Sequence, residues 1–271
     1  MKKTLIFIFL ISNIIFSQSS DLNQENLKGK IKTLQELYFE VEHIYKEVQD
    51  EEGYPDIKIV DYKKGKAKGT DEYIGYKNFY NRKGFKTENY QYYYGELSGK
   101  TKYILNEDNQ KVETIDYRFV NNEFLERKKH YSNEYIYKKN QIIEKSTFIE
   151  TGKPYSISIY NYNTFGKLVS FKTEYFNTGQ KINQGYIYDS NNFLIDIVVL
   201  PNKKTNSEPT FINDINGNPS IEKSYKYFKK ELRKIIKKHK YKYDEKGNWT
   251  EKVTYINDMA EIITERNIEY Y

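Results

Sequence analysis

The chain contains no cysteine. That removes disulfide staples, thiol nucleophiles and thiolate metal sites. It also removes the lipid-modified cysteine that follows the signal of a bacterial lipoprotein. Tryptophan occurs once, methionine twice and proline five times in 271 residues. No Gly-x-Ser-x-Gly elbow is present, and the three histidines, His43, His130 and His239, lie far apart with no ligand-like spacing. Long apolar runs are missing too, with one exception at the start: "TLIFIFLISNIIF", residues 4–16.

That run is short for a membrane span, follows Lys2 and Lys3, and ends at the small Ser17 before Gln18. This is the layout of a cleavable signal peptide. Residues 1–17 are therefore expected to be removed, and the mature chain to be exported (periplasmic, cell-surface or secreted) without a transmembrane segment. Losing two lysines lowers the formal charge from +6 to +4, on 254 remaining residues. Such a length suits one large all-β domain or two small ones.

What the chain has in excess is aromatic side chains, with 29 tyrosines and 15 phenylalanines against only 38% apolar residues. Disordered chains are poor in aromatics, so this one folds. Tyrosine favours strands and covers a sheet face while its hydroxyl stays wet. A protein with much sheet surface and a thin core is expected.

The aromatics recur at a beat. "YKYDEKGNWTEKVTY" from Tyr241 aligns with "YNYNTFGKLVSFKTEY" from Tyr160, "YIYDSNNFLIDIVVL" from Tyr186 and "YIYKKNQIIEKSTF" from Tyr135. Each runs aromatic–x–aromatic, then a polar clutch, then a strand-like return. Tyr241 and Tyr243 share one sheet face, with Lys240 and Lys242 on the other. "DEKGN" has the chemistry of a turn. Beyond it Trp249, Glu251, Val253 and Tyr255 are expected on one face, with Tyr243 and Trp249 as cross-strand neighbours. Turns are expected near Asn81, Gly95, Asn106, Asn121, Lys138, Glu150, Asn163, Asn177, Asp189, Asn202, Asp214, Phe228, Asp244 and Asn257. That spacing describes an antiparallel meander, elongated and curved or rolled on itself as one sheet. Helical patterns between strands, as an α/β enzyme needs, are lacking.

Two stretches fit helix as well as strand. Residues 27–48 carry apolar positions at three-and-four spacing, yet alternate from Lys30 to Val41, and Gly29 with the β-branched residues favours the strand. Residues 221–243 offer a helical stripe, but alignment with the repeat favours two strands turning at "FKKE". The segments expected are 18–60, an N-terminal strand or helix, and 61–271, a β-repeat domain with a Pro/Asn-rich loop at 201–220.

The copies "YNYNTFGKLVS" and "YKYDEKGNWTEKV" resemble the YD repeats of RHS-type proteins, and "EYFNTGQKINQGY" resembles the MORN-type pattern. The resemblance covers roughly residues 76–271. It implies a repetitive β-architecture that is exported or surface-associated, with no catalytic residues in the repeats.

Two short motifs are turns on inspection. "GELSGKT" (95–101) spaces its glycines wrongly for a phosphate-binding loop and lies between strand-like runs. "NDINGN" (213–218) misplaces the glycine of a calcium loop and lacks its closing glutamate. No cofactor or metal is expected. Residues 221–243 hold ten basic and two acidic side chains. Such a patch guards a sheet edge or holds an anionic polymer. Tyr241, Tyr243 and Trp249 with Lys237, Lys238 and Lys240 are thus the candidate ligand contacts. The functional expectation is a non-enzymatic binding or scaffold module at the cell envelope, with a glycan, an anionic polymer or another envelope protein as partner. A partner-neutralising, immunity-type protein and a hydrolase are the alternatives.

Overall fold

Alternating side chains at the predicted beat make strands of nearly all the chain that the structure, a computed structural model, describes: residues 20–49, 51–52, 55–67, 75–127, 129–200, 210–228 and 231–271. The expected leader and its cleavage point, residues 201–209, and Lys229 and Lys230, where a turn is expected, lie outside them. One short helix, α1 (Asp21–Gln24), precedes β1 (Ile31–Gln49), β2 (Pro55–Ala67), β3 (Gly75–Tyr80), β4 (Lys86–Tyr93), β5 (Glu96–Leu105), β6 (Lys111–Val120) and β7 (Glu123–Glu126). Then come β8 (Tyr131–Lys138), β9 (Gln141–Phe148), β10 (Pro154–Tyr162), β11 (Leu168–Tyr175), β12 (Lys181–Tyr188) and β13 (Leu194–Val199). The chain ends with β14 (Phe211–Asn213), β15 (Pro219–Phe228), β16 (Glu231–Tyr243), β17 (Trp249–Ile256) and β18 (Met259–Tyr270).

The meander is antiparallel throughout and is divided between two sheets. The larger runs β14-β15-β16-β17-β18-β1-β3-β4-β5-β6-β7, with β2 attached to β1; the smaller runs β13 to β8. The first strand therefore pairs with the last, as Glu36 opposite Arg266 shows. Among the described residues no strand pairing joins β7 to β8 or β13 to β14, so the two sheets are not closed into a barrel there. Side chains bridge these two seams. Tyr137 donates to the Lys111 carbonyl at 2.8 Å, and Asn213 Nδ2 donates to the Leu194 carbonyl at 2.8 Å.

Six turns share one construction. At Asn81, Asn106, Asn163, Asp189, Asp214 and Asp244, Oδ1 accepts from the backbone N–H groups two and four residues on. The fourth residue has positive φ and is Gly84, Asn109, Gly166, Asn192, Gly217 or Gly247, the residue types that tolerate the left-handed region. After each turn the returning strand carries one extra residue. Tyr243 pairs with Trp249, but Lys242 pairs with Glu251, and the other five turns repeat this shift.

The bulge overturns one expected facing. A strand without it places Trp249 with Glu251, Val253 and Tyr255. The extra residue, Thr250, moves Trp249 instead to the face of Lys252 and Thr254, which lie opposite Tyr241 and His239. Bulges also disturb the ladder, and tyrosines repair it. Hydroxyls of Tyr137, Tyr188 and Tyr241 donate to the carbonyls of Lys111, Leu168 and Pro219, the residue that follows the turn in three different copies. Each of these three tyrosines supplies apolar ring area and one donor for a carbonyl beside a bulge.

All six turns fall at one end of the meander, because successive connections alternate ends. Residues 20–30 run across that end. Leu22 N donates to the Gly84 carbonyl at 3.3 Å and Asn23 Nδ2 to the Phe165 carbonyl at 3.3 Å. Asn26 Nδ2 donates to the Asn216 carbonyl at 2.8 Å, and Asn248 brackets Lys28 by accepting from its N–H at 2.7 Å and donating to its carbonyl at 2.8 Å. Four turns, from both sheets, are tied to one strap. Leu22 and Leu27 bury against Ile31, Leu34 and Tyr80. The other two cores are equally small: Ile142, Tyr160, Tyr162 and Phe171; and Val253, Ala260 and Ile263.

Residues 31–49 are strand, longer than the alternation from Lys30 to Val41 indicates, and 221–243 are two strands with Phe228 opposite Glu231. The segment expected as a loop at 201–220 is not all loop. Phe211–Asn213 is strand, Asp214 opens one of the six turns, and Pro219 begins a strand, a position where its missing N–H is tolerated. "GELSGKT" opens with the Tyr94-Gly95 hairpin and continues as β5, with no helix behind it.

Candidate functional site

Register fixes where the candidate ligand contacts sit. Tyr241, Tyr243, Trp249 and Lys237 share the inner face, the one that also carries Glu36 and Arg266; Lys238 and Lys240 point to the other. Trp249 is 6% exposed, with the Arg266 guanidinium 3.5 Å above its ring. The Tyr241 ring lies 5.9 Å from both Tyr243 and Trp249. Their hydroxyls are used: Tyr241 donates to Pro219, and Tyr243 to Asp214. Lys237 stands 3.6 Å from Glu222, Lys238 pairs with Asp258 at 2.6 Å, and Lys240 covers Tyr255 at 5.0 Å. The cluster is brought together as packing.

Behind Trp249 the inner face is charged, which no sequence pattern announced. Glu36 is buried and accepts from Arg266 Nε at 2.8 Å, Tyr76 at 3.0 Å and Tyr38 at 2.5 Å. Burial alone raises its pKa, but Arg266, Lys252 and these donors outweigh that and hold it below the ordinary carboxylate value. Burial depresses the Lys252 ammonium. A second group lies under the strap: Lys86 Nζ pairs with Glu25 at 2.9 Å, and its backbone N–H donates to Asp21. Desolvation pushes the Asp21 carboxyl up to about 7 against the pull of Lys86. Desolvation likewise lowers Lys111 to about 8, offset in part by Glu144 and Asp21.

Beside this second group a cleft of about 330 Å³ opens on the inner face of β4, β5 and β6. Its floor is hydroxylated: Thr101 and Tyr103 from β5 lie opposite Asp116 and Thr114 from β6. Lys111 and Arg127 line it with one acid, Asp116, which already accepts from Thr101 at 2.5 Å. Lys100, next to Thr101, turns to the other face, where its ammonium lies over the Phe124, Tyr117 and Tyr90 rings at 4.6, 5.1 and 5.6 Å. Arg127 is exposed and makes no ion pair among the described residues. The arrangement offers positive charge and hydroxyl groups. Sequence reading missed it because its residues come from three strands and a strand end, with no local motif.

The described residues hold no group of three His, Asp or Glu side chains that suits a metal ion. "NDINGN" spends Asp214 Oδ1 on its own turn amides. Exposed rings gather at the end opposite the strap, where Tyr93 and Tyr94 meet at 4.9 Å and Tyr131 stacks on Tyr155 at 4.2 Å beside Phe176. No helix among the described residues is long and apolar enough to cross a membrane.

No protein-family profile matches the chain, and no curated protein matches it. Among solved structures it is similar to a porin-like protein of Bacteroides uniformis, with 10% identity over 89% of this chain and 99% of that one, at a TM-score of 0.32. A porin-like protein of Bacteroides vulgatus gives 14% identity over 89% and 98%, at 0.29. The Photorhabdus luminescens Tc holotoxin pore gives 10% over 82% of this chain and 15% of that one, at 0.25. These are likenesses among β-rich chains, and they assign this one neither a family nor a role.

Proposed function

We propose that the chain is an exported, non-enzymatic β-repeat protein that acts as a binding or scaffold module at the cell envelope, and that its ligand is an acidic glycan. The observation that carries this reading is the seam cleft, where Lys111 and Arg127 stand with a single engaged carboxylate above a floor of hydroxyls. A uronic acid unit matches that chemistry: its carboxylate meets Arg127 and Lys111, and its hydroxyls meet Thr101, Thr114 and Tyr103. The cleft's volume is at the small end of the roughly 300–1,000 Å³ of small-ligand sites, which suits one terminal or looped-in sugar of a longer chain. The signal-like leader supports the location, and the YD-like repeats support an architecture without catalytic residues. The test is a glycan array probed with the mature chain. Retention on polyuronates and not on neutral glucans is expected; equal retention on both, or none, would overturn the reading.

A further inference from the structure

The ribbon of β1 and β2 leaves the body of the sheet. β1 pairs with β18 only as far as Glu40 and with β3 only from Thr33 to Glu36. From Val41 to Gln49 its strand partner is β2, and among the described residues its other edge, in line with β18, meets no strand. A two-stranded ribbon alone is marginal in water, and an open edge accepts further strands. This one also exposes Ile44 (41%), Tyr45 (61%) and Ile59 (41%), more apolar surface than a solvated edge carries.

Its charges are unbalanced within the ribbon. Glu42 pairs with Lys63 at 2.9 Å, but Lys46 lies directly opposite Lys58, a like-charge pair. The buried Nδ1 of His43 has no hydrogen-bond partner among the described residues. A strand laid along the open edge that brings a carboxylate to Lys46 and an apolar side chain to Ile44 satisfies the ribbon.

The sequence 41–49 is itself such a strand. We propose that two copies of this chain dimerise through this edge, with residues 41–47 of each pairing antiparallel about a twofold axis at Ile44. In that register Ile44 meets Ile44 of the second copy, Glu42 meets Lys46, and His43 meets Tyr45. The twofold makes each unlike contact twice. A slip of two residues, which keeps the facing, destroys the match by setting Lys46 on Ile44. The incoming strand continues the line of β18, as β3 and β2 follow one another along the opposite edge of β1.

Cysteine cross-linking tests this on the mature chain, which has no thiol of its own. Opposed residues of an antiparallel pair have Cα atoms about 4.5–5.5 Å apart, inside the roughly 4.4–6.8 Å range of disulfides. Ile44→Cys is expected to form a disulfide dimer on mild oxidation. Glu42→Cys sits about 13 Å from its own copy at the strand rise and should remain monomeric, but should cross-link when mixed with Lys46→Cys. Without any cysteine, Lys46→Glu should weaken the dimer in sedimentation equilibrium by roughly 2- to 30-fold, from two symmetric cross-strand pairs. A wild-type chain that sediments as a monomer at every concentration overturns the proposal. So does equal cross-linking of Ile44→Cys and Glu42→Cys, which points to a different register or to chance collision.

Discussion

Replacing Glu36 by Gln tests whether the inner face is as dry as its packing indicates. The substitution keeps the shape and an acceptor for Tyr38 and Tyr76, but leaves Arg266 buried above Trp249 without its counter-charge. Breaking one side of a buried ion pair costs about 3–5 kcal/mol, a large share of the roughly 5–15 kcal/mol that holds a domain together. Arg266→Met keeps the stem over the indole and should cost a comparable amount, because Glu36 then keeps only its hydroxyl donors. In Glu36→Gln/Arg266→Met the pair is removed together and Lys252 keeps Glu222, so part of the summed loss should return, with a coupling of about 2–3 kcal/mol. Urea unfolding reads this directly, since Trp249 is the only tryptophan. A Glu36→Gln cost below about 1 kcal/mol, the value of an exposed pair, refutes the dry-face argument. So does a double variant as unstable as the sum of the singles.

Asp21 supplies a pH signature of the strap. Its folded pKa of about 7 exceeds the ordinary 3.8, so the folded state holds the proton more tightly and stability declines as pH rises from about 4 to about 7. At most about 4 kcal/mol is involved at 1.36 kcal/mol per unit, and Asp21→Asn should flatten the decline in thermal melts across that window. Glu36 acts oppositely: its depressed pKa means its contribution is present at neutral pH and is lost on acidification. Asn248→Ala removes the bracket on Lys28 and the bond to Tyr270. It should cost about 2–4 kcal/mol from two stranded backbone groups and speed hydrogen exchange at residues 26–30. Gly217→Ala should cost far more than Gly152→Ala in urea midpoints. Both have positive φ, but the new methyl meets the Phe193 ring at 2.4 Å in the first and open space in the second; strain alone is about 1–2 kcal/mol.

Much of this architecture was legible because it is local. The Asx residue and the glycine or asparagine three positions later mark each of the six turns, with paired tyrosines before three of them, and twelve of the fourteen expected turns fall among the described residues where the spacing puts them. Phe228 opposite Glu231 likewise follows from alignment with the repeat. Facing beyond the turns was not legible, since one bulged residue such as Thr250 inverts every later side chain. The strap was hidden for another reason: Asn23, Asn26 and Lys28 act on turns 140 to 220 residues away. Trp249 shows both limits. Its partner Tyr243 was predictable from the hairpin, and the Arg266 covering it was not, because that contact depends on β18 lying beside β17.

The account's central claim, that the seam cleft takes an acidic sugar, is most directly tested by calorimetric titration of residues 18–271 with a tetragalacturonate and with its carboxyl-reduced neutral counterpart. The acidic oligomer is expected to bind, the neutral one to bind at least tenfold more weakly, and Arg127→Ala to abolish the difference while leaving the fold intact. Equal heats from both oligomers, or an Arg127→Ala titration that overlays the wild type, contradicts it.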